Sequence, residues 1–77
     1  MTRNEAAAIV AKWANYVSKT GLARRLGLTR NAVQQWGRGQ AVPSTPERLR
    51  ALAEAAGGID ALPGVERALF GADSTLR

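Results

Sequence analysis

Apolar residues along the chain fall into short stripes of helical spacing, separated by polar breaks. Thr2 and Glu5 stand at capping-box spacing, and Ile9, Val10, Trp13 and Val17 follow on one helical face. Together they predict a helix over about residues 4–17, with Lys12, Asn15 and Tyr16 off the stripe. Ser18 and Thr20 are candidate caps for a short second helix over about 21–26, which Gly27 ends. Thr29 caps a third helix over about 30–36, with Leu28 and Val33 at hydrophobic-staple positions and Gly37 and Gly39 at its end. Beyond a linker over 40–43, Ser44 and Glu47 repeat the capping-box spacing and Pro46 suits a first turn. The fourth helix then runs to about Ala56, with Leu49, Leu52, Ala53 and Ala56 facing inward and Gly57 and Gly58 as its stop. A last short helix over 63–70 is closed by Gly71, and the tail over 72–77 is expected to fray. No strand pattern and no internal repeat is visible. The expectation is one all-α domain over residues 1–71, built from four to five helices.

Composition narrows the chemistry. A chain of 77 residues has a small core, burying about 60% of its unfolded surface. The 45% apolar content is enough to build one. Cysteine and histidine are both absent, so disulfides and the usual zinc, haem and iron–sulfur ligand sets are excluded. The commonest acid–base residue is missing too, and the six carboxylates form no close pair of a recognisable catalytic arrangement. The expectation is a protein that is not an enzyme, with no metal, no cofactor and no small-molecule substrate. Near the start, the apolar run over 6–11 ends at Lys12, far short of the ~20 residues that span a bilayer. It also lacks the flanks of a signal peptide. A cytoplasmic, nucleoid-associated protein with no membrane partner is expected.

Charge is distributed unevenly. The net charge is +5, and no acidic residue lies between Glu5 and Glu47. That interval holds Lys12, Lys19, Arg24, Arg25, Arg30 and Arg38. A one-signed block within an apolar-patterned segment points to an anionic partner, although a merely solubilising face would look the same.

Residues 19–38 separate these readings. Two short helices joined by a Gly-containing turn form a helix-turn-helix pattern. Ala23 must be small where the second and third helices cross, and Gly27 occupies the turn. Leu22, Leu26, Leu28, Val33 and Trp36 fill the wedge between the helices. The opposite face of the third helix is polar throughout: Thr29, Arg30, Asn31, Gln34, Gln35 and Arg38. Asn and Gln pair bidentately with adenine, and Arg with guanine, so this face is stocked to read base edges. Any one of these residues alone would be an ordinary solvated side chain; the set in one register carries the reading.

The stretch over residues 8–58 resembles the small Cro-like phage repressors and the related YdaS-type antitoxin family. Gly21-Leu22-Ala23-Arg24-Arg25-Leu26-Gly27-Leu28-Thr29, Ala32-Val33-Gln34-Gln35-Trp36 and Val42-Pro43 carry the likeness. The resemblance implies a lambda-repressor-like fold with the helix after Thr29 in the major groove of double-stranded DNA. By position it makes Thr29, Arg30, Asn31, Gln34 and Gln35 the base-facing residues. The chain departs from the family at Ser44-Thr45-Pro46 and after Gly58, so no dimer contact is carried over.

Phosphate contacts are expected from the rim. Thr20 and Gly21 open the second helix, whose N–H groups and dipole favour an anion. Lys19, Arg24, Arg38 and Lys12 are expected to flank the groove. Trp13 and Trp36 could stack on single-stranded bases, but both lie in register with the apolar stripe and read as core. Arg48 and Arg50 are expected to pair with Glu47 or Glu54, or to be solvated. Ile59, Leu62, Val65, Leu69 and Phe70 form an apolar stripe that either completes the monomer core or builds a homodimer interface. The function expected is a sequence-specific transcriptional repressor, a homodimer on an inverted repeat. The alternatives are an antitoxin or adaptor that chiefly binds a protein partner, and a non-specific nucleic-acid binder.

Overall fold

A computed structural model of the protein describes residues 1–71, so the tail predicted over 72–77 lies outside the described residues. The described chain runs α1 (Arg3–Tyr16), α2 (Lys19–Leu26), α3 (Arg30–Gly37), α4 (Pro46–Ala56) and α5 (Leu62–Phe70). A single 3-10 turn, Ile59–Ala61, leads into α5. No strand occurs among the described residues, and no helix there is long and apolar enough to cross a membrane.

Local chemistry accounts for the helix ends. Thr2 and Glu5 form the reciprocal capping box: the Thr2 hydroxyl accepts from the Glu5 N–H at 3.1 Å, and the Thr2 N–H donates to Glu5 Oε1 at 2.8 Å. The backbone N–H, with a smaller contribution from the Thr2 hydroxyl, holds the Glu5 carboxyl below its ordinary pKa. At the start of α2 the cap is Ser18, whose hydroxyl accepts from the Gly21 N–H at 3.2 Å. Thr20, the other candidate, lies inside the first turn. Thr29 caps α3 through the Ala32 N–H at 3.2 Å.

The predicted Ser44–Glu47 capping box does not form. Thr45 caps α4 instead, accepting from the Arg48 N–H at 3.2 Å. Pro46 explains the shift of one residue. A residue preceding proline is driven into the extended region, and Thr45, with φ −134° and ψ 152°, thereby acquires N-cap geometry. Ser44 accepts from Arg48 Nη1 at 2.7 Å.

α2 and α4 end alike. Gly27 (φ 71°) and Gly57 (φ 74°) adopt the left-handed conformation that glycine takes without a Cβ penalty. The residue after each closes the turn, Leu28 N–H to the Ala23 carbonyl and Gly58 N–H to the Ala53 carbonyl, both at 2.8 Å.

α1 packs against α3, α4 and α5, and is the element around which the others are arranged. Its buried residues are Ala6, Val10, Trp13 and Ala14, while Ile9 and Val17 are only half-buried. The inward face is thus rotated toward alanines relative to the predicted stripe, because small residues let neighbouring helices approach closely. Val10, Val33, Leu49, Leu52 and Val65 are fully buried. Each contributes about 1.5–3 kcal/mol relative to exposure. Trp13 and Trp36 are core residues, 7% and 4% exposed. Of the C-terminal stripe, Leu62 and Val65 are buried in this chain's own core and Leu69 and Phe70 pack against it, whereas Ile59 is 46% exposed. Leu62, Val65, Leu69 and Phe70 thus belong to the core of the single chain, and Ile59 does not. Arg3 Nη1 reaches the Leu69 carbonyl at 3.3 Å, tying the first helix to the last.

Candidate nucleic-acid interface

α2 and α3 are joined by residues 27–29 alone, so Gly27 sets the direction in which α3 departs. Leu22 and Ala23 on α2 and Val33 and Trp36 on α3 are buried together, and Leu26 and Leu28 pack half-buried against that cluster. Gly27, with φ 71°, is the C-cap of α2 between them.

Anchoring α3 through Val33 and Trp36 leaves its other side outward. At 100° per residue, Asn31, Gln34, Gln35 and Arg38 project opposite the buried pair, with Arg30 at the edge of the first turn. Thr29, Arg30, Asn31, Gln35 and Arg38 are exposed and Gln34 is half-buried. Of the predicted base-facing residues, Arg30, Asn31, Gln34 and Gln35 therefore lie on the side of α3 away from its buried pair, and Thr29 is its exposed N-cap. The sequence between Glu5 and Glu47, which contains this face, has no carboxylate. The ion pair found among the described residues, Arg25–Glu54 at 3.3 Å, lies between α2 and α4. It occupies Glu54, one of the two carboxylates the sequence offers to Arg48 and Arg50, while Arg48 bonds to Ser44.

The rim residues fare less uniformly. Arg24 and Arg38 are exposed and Lys19 is half-buried. At the start of α2, the Gly21 N–H is taken by Ser18, so Gly21 cannot offer its N–H to an anion as predicted. The unbonded N–H groups of that end belong to Lys19 and Thr20. Lys12 sits one turn before Asn15 on the same side of α1, beside Tyr16.

A tether not foreseen from the sequence holds the far end of α3. Asn15 Nδ2 donates to the Gly37 carbonyl at 2.9 Å. The helices are so close here that a β-carbon on Gly37 would lie 2.7 Å from Asn15 Oδ1 and 3.5 Å from Lys19 Cε. A side chain at Gly37 would therefore push Asn15 off this hydrogen bond at the junction of α1, α2 and α3. Its signal in the sequence was a glycine inside the last helical turn, two residues before the glycine that follows the helix, with nothing to name its partner.

Comparison with known protein families, with curated proteins and with solved structures finds no match to this chain.

Proposed function

We propose that this protein is a sequence-specific double-stranded DNA-binding repressor of Cro-like type, in which α2 and α3 act as a helix-turn-helix and α3 enters the major groove. The observation that supports it most is the single accessible face of α3, where Arg30, Asn31, Gln34, Gln35 and Arg38 stand opposite the buried Val33 and Trp36. Those side chains match the hydrogen-bonding patterns of guanine and adenine edges. Arg24, Arg38, Lys19 and the first N–H groups of α2 supply phosphate contacts that fix register and make affinity fall with salt.

Repression requires no chemistry, since a bound protein excludes polymerase. An eight-residue helix reads only a few base pairs. Two copies on half-sites one helical turn apart, about 34 Å, multiply the specificity, so a homodimer on an inverted repeat is part of the proposal.

Selection of bound duplexes from a random library tests this, followed by titration of the winner against scrambled DNA near physiological salt. An enriched inverted repeat bound at least ~10³-fold more tightly than the scramble is the expected result. Equal binding of both would remove specific readout and leave the α2–α3 pair as a scaffold for a protein partner.

A further inference from the structure

We propose that the depression between the end of α1 and the end of α4 is a binding site for a small planar aromatic carboxylate. It has a volume of about 540 Å³, within the size range of small-ligand sites. Its apolar lining is the accessible edge of Trp13 together with Ala56 and the side-chain-free Gly57 and Gly58. Tyr16, 78% exposed, stands at the rim. The exposed Tyr16 ring beside this apolar lining favours a planar ring, which can stack on it or meet it edge to face.

The polar groups define the other half of the ligand. Trp13 is 7% exposed, its indole N–H edge lies against Gly58, and that N–H has no hydrogen-bond partner among the described residues. Indole N–H is a donor only, so it calls for an acceptor. Lys12 adds a cation at the rim, Asn15 Nδ2 has a second hydrogen beyond the one given to Gly37, and no acidic residue among the described residues lines the site. Donors and a cation without a carboxylate complement an anionic head group. The lining is continuous with α3, because Asn15 is both a rim residue and the tether to Gly37. A carboxylate oxygen on the free Asn15 hydrogen therefore fixes the rotamer that holds the end of α3.

Amide and indole proton–nitrogen correlation spectra of the full chain, titrated without DNA with indole-3-acetate and in parallel with the neutral indole-3-acetamide, test the assignment independently of any DNA reading. Saturable shifts are expected at the Trp13 indole N–H, the Asn15 side-chain amide, the Gly57 and Gly58 amides and the Gly37 amide. The acid should bind about tenfold more tightly than the amide. Lys12→Gln, at an exposed position, should lower affinity for the acid several-fold and leave the amide unaffected. Equal affinity for the two probes, shifts confined to the basic face of α3, or no saturation by the acid would each overturn the proposal.

Discussion

The indole of Trp13 lies so close against Gly58 that a β-carbon there would overlap its Nε1, Cε2 and Cζ2 atoms. Gly57, the preceding residue, has nothing within 4 Å of that position but a φ of 74°. Adjacent glycines are thus required for different reasons, one for space and one for backbone conformation. Gly58→Ala must displace a core tryptophan, at a cost of about 1–3 kcal/mol. Gly57→Ala forces a left-handed alanine, at about 1–2 kcal/mol. Thermal unfolding should lower Tm in both variants, by roughly 4–8 °C per kcal/mol. Only Gly58→Ala should shift the Trp13 indole resonance. A Gly58→Ala variant with unchanged Tm would refute the close packing.

The Asn15–Gly37 tether predicts a non-additive pair. Gly37→Ala alone removes a poor helix former but pushes Asn15 off its hydrogen bond, worth about 1 kcal/mol. In an Asn15→Ala background the obstacle is gone, and the same change should stabilise by a few tenths to ~1 kcal/mol. Denaturant unfolding of the two single variants and the double variant measures the coupling. Additive effects would mean that the tether contributes nothing.

The Arg25–Glu54 ion pair should matter little. Its side chains are 57% and 47% exposed, and such pairs contribute ~0.2–1 kcal/mol. A double-mutant cycle with alanine should give a coupling at the low end of that range, fading toward zero in about 1 M salt, where the screening length is ~3 Å. A coupling that survives high salt would contradict this assignment.

Glu5 links stability to pH. Its folded-state pKa is depressed by the Thr2 N–H, so the ionised carboxylate stabilises the fold above the ordinary glutamate pKa. That contribution is lost as pH falls through the depressed value. Glu5→Gln keeps a capping-box residue but removes this titration. The Tm difference between wild type and Glu5→Gln should therefore shrink on acidification from neutral pH. A constant difference across that range would show that Glu5 does not titrate with folding.

The proposed DNA contacts divide into two kinds. Arg30→Ala and Gln34→Ala should each cost about 1–3 kcal/mol on the selected site and relax preference at particular base pairs. Arg24→Ala should weaken all sequences about equally and reduce the dependence of affinity on salt. Arg24 is a cleaner phosphate probe than Lys19, whose stem packs at the Gly37 junction. If all three variants lose affinity alike on selected and scrambled DNA, specific readout by α3 is wrong.

By itself the sequence determined the features that act over a few residues. The helix starts at Thr2 and Thr29 are bonds between residues three apart, and the glycine stops at Gly27 and Gly57 depend on their own φ. The polar face of α3 follows from helical periodicity once Val33 and Trp36 are recognised as the inward pair. Even the misplaced start of α4 was a local matter, because Pro46 already dictated an extended Thr45. Tertiary structure decided what depends on residues distant in the chain. Asn15 meets Gly37 across 22 positions and Arg25 meets Glu54 across 29, and neither partner carries a local mark of the other. The spatial need for Gly58 exists only because α1 brings Trp13 against it. The apolar stripe of α5 could have served a core or an interface until packing against α1 and α4 buried Leu62 and Val65. Helical periodicity marks which face is apolar, whereas burial of that face is set by the surface that arrives to cover it.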